Sequence, residues 1–262
     1  MASNVRVAVR VRPLSNKEKR LEVRNIITTN GNCISINNVK VEGHSEYGDS
    51  RERVKHFTFD YCYDQGSTTE DSAEAPSQEL IYQDLGTEIL QAAFEGYNAC
   101  MFAYGQTGTG KTYTMMGYQN EIGIIPRICE SMFSHIDDCS PEENITFKIE
   151  ISYLEIYNER VRDLLQKPVK GRRDKYTLKI REHPQTGPYV QDLSKHVVKD
   201  YLEIQALIDR GNSARVTAAT HMHKRSSRSH AIVTVSLSQA KFEDNLPSEI
   251  ASKVHLVDLA GR

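Results

Sequence analysis

Residues Gly105-Gln106-Thr107-Gly108-Thr109-Gly110-Lys111-Thr112 fit the pattern G-x-x-x-x-G-K-[ST] at every fixed position. The apolar run Ala99-Cys100-Met101-Phe102-Ala103-Tyr104 stands immediately before them, as a buried parallel strand would. From Lys111 to Met116 there is neither Pro nor Gly, so a helix can open there. Strand, glycine turn and helix is the setting in which such a loop holds phosphate. The glycines let the backbone curl until successive N–H groups point inward, and the positive end of the helix adds to the same field. Lys111 is placed to reach the β- and γ-phosphates, and the Thr112 hydroxyl to ligate Mg²⁺. The expectation is a nucleoside triphosphate site over residues 105–112.

The 262 residues suit one large α/β domain or two small ones. With no internal repeat, low-complexity segment or linker in view, a single domain over 1–262 is expected. Lys+Arg 33 against Asp+Glu 35 gives a net charge of -2. That balance calls for neither nucleic acid nor an anionic membrane, so any basic surface must be local. Cys33, Cys62, Cys100, Cys129 and Cys139 are odd in number and scattered, with no C-x-x-C pair. Reduced thiols in a cytoplasmic protein without a zinc site are the reading. The N-terminus shows no signal peptide, and no apolar run approaches the ~20 residues that span a bilayer.

Along the chain, Val5, Val7, Val9 and Val11 alternate with arginines as a half-buried strand that Pro13 stops. Aromatics at every second position predict a strand over 57–63, and apolar spacings of three and four predict a helix from Ser77 to Phe94. A further helix is expected to start at Pro126, with Ile128, Met132 and Phe133 as its stripe. Alternation predicts strands over 145–153, 233–237 and 254–257, and a helix is expected over Tyr201 to Asp209.

A phosphate loop needs partners that sense the γ-phosphate. Asp258-Leu259-Ala260-Gly261 follows an apolar strand as a D-x-x-G segment should. Its Asp can hold a Mg²⁺-bound water, and its Gly N–H can bond the γ-phosphate. The hydroxyls of Ser226-Ser227-Arg228-Ser229-His230 can complete the Mg²⁺ shell and orient the attacking water.

GQTGTGKT, SSRSH and DLAG, with Arg10-Val11-Arg12-Pro13, Glu95-Gly96-Tyr97-Asn98 and Ser152-Tyr153-Leu154-Glu155-Ile156-Tyr157-Asn158-Glu159, together resemble the kinesin motor domain, in kinesin order from residue 5 to 261. Within the family, Arg181-Glu182-His183-Pro184 and Asn158-Glu159-Arg160-Val161-Arg162-Asp163 resemble the third class. Thr220-His221-Met222-His223 and Asn245-Leu246-Pro247-Ser248-Glu249 are most similar to those of its members with a lipid-transfer (START) domain at the far end. The resemblance implies an α/β, P-loop NTPase fold with a mixed central sheet flanked by helices on both faces. It implies ATP with Mg²⁺ as the nucleotide and microtubules as the partner, with cargo and dimerisation regions outside the chain. Arg10, Arg12 and Pro13 would pack around the adenine, with Tyr113 on its other side. Thr112, Ser227 and Asp258 would serve the metal, and Ser226, Ser227, Arg228, Asp258 and Gly261 the γ-phosphate chemistry. Glu155, Tyr157 and Asn158 read as core strand and turn, without chemistry.

Two positions depart from the family pattern. His223 stands where the family has Asn, and Gly261 is followed by Arg262 where the family continues Ser-Glu. In kinesins that Glu pairs with the Arg of SSRSH, here Arg228. An incomplete motor domain is therefore expected, one that binds ATP better than it hydrolyses it. Lys167, Lys170, Arg172, Arg173, Lys175 and Lys179 form a local basic patch where the family places a microtubule-contacting hairpin. A GTPase is disfavoured, because the guanine-selecting N-K-x-D is missing and Asn16-Lys17-Glu18-Lys19 is not it.

Overall fold

The computed structural model describes residues 5–37, 54–64, 76–139, 145–166, 177–185, 187–219, 228–243 and 246–261. The chain divides into two compact units, Met1–Ser77 and Gln78–Arg262.

The first unit contains β1 (Ala8–Val11), α1 (Asn16–Arg20), β2 (Ile27–Asn30), β3 (Cys33–Asn37), β4 (Val54–Thr58) and β5 (Tyr61–Asp64). The strands β2, β3 and β4 form an antiparallel sheet, while β1 runs parallel to β5 with Ala8 opposite Tyr61. The single strand expected over 57–63 is thus two strands with different partners. The break falls at Phe59 and Asp60, where Phe59 N–H bonds Asn32 O (3.0 Å) and the Asp60 carboxylate accepts the Val7 N–H (2.7 Å). Alternation of aromatics carries straight through such a corner, which is why it cannot reveal it. Beyond Pro13, Ser15 and Glu18 start α1 with a reciprocal capping box. Arg12 clamps the Glu18 carboxylate at 2.7 and 2.8 Å, which with Ser15 holds that carboxyl well below the usual range.

The second unit runs α2 (Gln78–Ile81), a π-helical turn (Tyr82–Gly86), α3 (Thr87–Phe94), β6 (Ala99–Ala103), α4 (Lys111–Met115), β7 (Gly117–Tyr118), β8 (Glu121–Ile122) and α5 (Ile124–Asp138). It continues through β9 (Ile145–Tyr157), β10 (Arg160–Asp163), β11 (Ile180–His183), β12 (Gly187–Val190), β13 (His196–Val198), α6 (Tyr201–Ala219), β14 (His230–Glu243) and β15 (Leu246–Asp258). Among the described residues the main sheet has the order β10-β9-β14-β15-β6, with β13 added to β9. Its only parallel pairing is β15 with β6, so the sheet is mixed, as expected. Ile149, Ile151, Tyr153, Val233, Val235, Leu237, Val254 and Leu256 fill one face and are all buried. Helices α3 and α6 lie on that face: Gln239 donates to Phe94 O (2.8 Å), and the Tyr153 hydroxyl donates to Asn212 of α6 (2.8 Å).

Three elements differ instructively from their predicted extents. The helix expected from Ser77 to Phe94 is interrupted by the π turn, where the Tyr82 ring lies so close to Gly86 that an added Cβ would stand 2.3 Å from it. Helix α5 begins two residues before Pro126, which sits in the first turn, where a missing N–H breaks no helical bond. Helix α6 runs on to Ala219 instead of stopping at Asp209. Gly211 is not a terminator there; a Cβ on it would meet the Tyr153 ring at 2.1 Å, so its bareness admits the tyrosine.

On the opposite face, half-buried His255 bonds the Thr234 hydroxyl through Nδ1 (2.9 Å) and stands in register with Cys100. Burial first, then the charge of Lys253, lowers its pKa below the ordinary value. The unfolded chain therefore binds this proton more readily, and stability is lost as pH falls. Urea unfolding is expected to show falling stability below about pH 6.5, with a shallower fall in His255→Gln. Identical pH profiles for the two chains would contradict this.

Candidate active site

Strands β6 and β15 are adjacent and parallel, with Ala103 opposite Asp258. The segments leaving their carboxyl ends, 104–110 and 259–261, therefore emerge side by side, where ligands bind open α/β sheets. The phosphate loop is built on glycines with φ of 153° (Gly105), 84° (Gly108) and 98° (Gly110). A Cβ at Gly105 would stand 2.7 Å from Thr109 Oγ1, whereas Gly108 and Gly110 face open space. Thr109 closes the loop by donating N–H (3.3 Å) and hydroxyl (2.9 Å) to Gln106 O. Lys111 folds back over it, donating Nζ to Gly105 O and Gln106 O, each at 3.0 Å. Helix α4 has only 5 residues, so the field comes from the loop's own N–H groups and Lys111 more than from an extended macrodipole. A cavity of about 210 Å³ is lined by Thr107, Gly108, Gly110, Lys111, Thr112, Tyr113 and Leu259. Tyr113 is held from behind, its carbonyl accepting Nε2 of buried Gln78 (2.7 Å).

Asp258 ties the two segments together. Its Oδ2 accepts the Thr112 hydroxyl (2.7 Å) and Nη1 of Arg215 (2.7 Å), with the Arg215 and Asp258 side chains 5% and 1% exposed. The second terminal nitrogen of Arg215, Nη2, donates to Ser229 O (3.2 Å), joining the SSRSH segment to the same cluster. Beyond Asp258, Leu259 N–H reaches Ala103 O (3.4 Å) and Ala260 N–H reaches Nδ1 of His230 (3.2 Å). Gly261 then lies against Thr107: an added Cβ would stand 2.2 Å from its hydroxyl and 2.7 Å from its backbone nitrogen. Beneath the cluster, burial pushes the Tyr153 hydroxyl up to about 12, with Arg215 opposing and Asp258 and Glu155 reinforcing.

Of the residues expected at the site, the structure brings together the loop 105–112, Tyr113, Asp258 and Gly261. Arg228 is exposed one residue before Ser229. Arg10, Arg12 and Pro13 belong to the first unit. Ser226, Ser227, His223, Arg262 and the patch residues 167–175 lie outside the described residues, while Lys179 stands just before β11. Sequence reasoning missed Arg215, Tyr153 and Asn212, and gave no role to Glu155, which is fully buried at the edge of this cluster. One signal was available. Ile204, Ile208, Gly211 and Arg215 recur at four, three and four, so Arg215 continues the buried stripe of α6.

The donor set suits a magnesium nucleotide. The Thr112 hydroxyl donates to Asp258 and so keeps lone pairs for a cation. Asp258 Oδ1 is a buried carboxylate oxygen without a hydrogen-bond partner among the described residues. Both are hard oxygen ligands of the kind Mg²⁺ takes, beside N–H groups and a lysine that suit phosphate.

Fold and site define an α/β phosphate-loop nucleotide-binding domain. A family model for the kinesin motor domain matches residues 10–262, and the chain belongs to that family. It is 52% identical over 260 residues to StAR-related lipid transfer protein 9 of Homo sapiens, a match covering 99% of this chain and 5% of that protein. Kinesin-like protein KIF16B of Mus musculus is 50% identical over 259 residues, covering 99% of this chain and 19% of that one. The chain therefore spans a small part of these relatives. A solved KIF14 dimer, with AMP-PNP and in complex with a microtubule, superposes with a TM-score of 0.84 at 42% identity, covering 100% of this chain and 69% of that one.

Two substitutions test the geometry. Arg215→Ala leaves Asp258 buried and uncompensated, so urea unfolding is expected to show a loss of about 3–5 kcal/mol. A loss within the range of ordinary surface changes, about 0.5 kcal/mol, would mean the pair carries no such burden. Gly261→Ala drives a methyl into the Thr107 backbone, which no rotamer relieves. Affinity for a non-hydrolysable ATP analogue is expected to fall by about tenfold or more, and unchanged binding would contradict the close approach.

Proposed function

We propose that this chain is a kinesin-like microtubule motor domain that binds ATP with Mg²⁺ in the 105–112 loop and hydrolyses it to drive movement along microtubules. The observation that carries the reading is the link from Thr112 to Asp258, with Gly261 against Thr107. That contact supports the reading, because it leaves the 105–112 loop and the 258–261 segment within one hydrogen bond of each other.

In this reading the loop N–H groups and Lys111 hold the phosphates, and Gly261 N–H marks the γ position. The contacts of Lys111 with its own loop carbonyls are exchanged for phosphate oxygens. Thr112, Asp258 and, on the family resemblance, Ser227 would hold magnesium, which would supply screening of the phosphate charge. On the family resemblance, Ser226 and Ser227 would orient the water that attacks the γ-phosphorus; Arg262 follows Gly261 where the family has the Ser-Glu whose Glu pairs with Arg228, so turnover is expected to lag behind binding. No side chain forms a covalent bond to substrate, so the acceleration comes from positioning and electrostatics. On the same resemblance, Tyr113 would pack against the adenine. The relation to proteins solved on microtubules supports the partner, with the 167–179 patch as a contact. The cytoplasmic microtubule cytoskeleton is the corresponding location.

Lys111→Ala is expected to remove most nucleotide affinity in a fluorescent ATP titration, because a charge-assisted bond is lost in a sheltered site. Binding within twofold of the unaltered chain would sink the assignment. Steady-state ATPase with and without microtubules tests the motor reading. Binding without turnover would favour a nucleotide-binding module that does not cycle, and effective competition by GTP would reopen nucleotide identity. Pelleting with microtubules should weaken steeply with salt, since exposed charges are screened beyond ~8 Å at physiological ionic strength.

A further inference from the structure

The ladder between β14 and β15 ends at the pair Ala231 and Asp258. His230 is the first residue of β14, one position beyond that last rung. Past Asp258 the backbone is held on one side by Ala103, which takes the Leu259 N–H, and on the other by the His230 ring, which takes the Ala260 N–H at Nδ1. An imidazole thus supplies an acceptor just past the end of the ladder. The next residue is Gly261, seated against Thr107 of the phosphate loop.

We propose that His230 is a positioning residue for recognition of the terminal phosphate: by holding the Ala260 N–H, its Nδ1 aims the following N–H, that of Gly261, at the γ-phosphate. The inference rests on the ATP reading above and deepens it. Accepting at Nδ1 leaves the ring proton on Nε2 in this arrangement. Gly261 has no Cβ to restrict its own torsions, so without the tether its N–H would sample many directions, and ordering it on binding would cost conformational entropy. With the tether, the preceding peptide is already fixed. A nucleoside diphosphate lacks the phosphate that Gly261 meets and draws its affinity from the 105–112 loop, the adenine contacts and the metal, which both nucleotides share. His230 therefore separates triphosphate from diphosphate and leaves the common binding energy untouched.

The test compares the chain's affinities for a non-hydrolysable ATP analogue and for ADP, each with Mg²⁺, in His230→Ala, His230→Gln and His230→Asn. Asn places its Oδ1 as many bonds from Cβ as Nδ1 is, whereas the Gln Oε1 stands one bond further out, at the reach of Nε2. The Ala and Gln variants are expected to lose about tenfold in affinity for the ATP analogue while ADP binding stays within twofold, and Asn is expected to restore the difference. In the nucleotide-free chain, amide exchange at Ala260 should accelerate in Ala and Gln but not in Asn. An unchanged ratio of the two affinities in His230→Ala overturns the proposal. So does equal impairment of Asn and Gln, or a parallel loss of both nucleotides, which would mark a merely structural histidine. If the unaltered chain binds neither nucleotide, the ATP reading falls and the inference falls with it; if it binds both and only the ratio fails to move, the inference alone falls.

Discussion

The Asp258 carboxylate is almost wholly withdrawn from water, and much of the second unit is arranged around making that tolerable. Removing such an ion from solvent costs several kcal/mol even after relaxation. The charge of Arg215 and the hydroxyl of Thr112 offset the cost, both on the same oxygen. Arg215 reaches it because α6 lies close to the sheet, and α6 lies close because Gly211 leaves room for the Tyr153 ring. A bare glycine on one helix thereby decides whether an arginine one turn further on can meet the carboxylate at the end of β15.

The same cluster shapes the electrostatics of the loop mouth. Arg215 offsets Asp258, so the carboxylate does not repel an incoming phosphate as strongly as a lone anion would. Lys111 needs no separate counterion, because its own loop carbonyls hold it. Tyr153, pushed up to about 12, stays neutral and serves as a hydrogen-bond donor to Asn212. Beside the buried Arg215–Asp258 pair, Tyr153 and Asn212 thus add a neutral hydrogen bond and no further charge.

How much of this could be read from the chain alone follows from how local each feature is. The phosphate loop and the D-x-x-G segment were legible because each depends on glycines at fixed spacing, a constraint written in consecutive residues. The ends of β14 and β15 were not, since Gln239, Lys241, Ser248 and Ser252 stand on the face where the alternation of the central valines calls for apolar residues. The helix expected to end at Asp209 runs past Gly211, whose reason for being bare is Tyr153, far away in sequence. Arg215, Asn212 and Tyr153 are brought to Asp258 by tertiary packing alone. The buried spacing of α6 hinted that Arg215 faces inward but gave no sign of its partner.

The parallel pairing of β6 with β15 has a mechanical consequence. Advancing β15 by one residue against its neighbours would turn Asp258 away from Thr112 and expel the buried valines and leucines of its face. Strand sliding is thus barred as a way of signalling which nucleotide is present. The two strands act as a fixed anvil, and movement falls to the segments that leave its edge, beginning at Tyr104 and Leu259. A small rotation of one peptide there is passed on directly to whatever that segment carries, so on the reading proposed above the end of the sheet is where a difference of one phosphate can be turned into a change of shape.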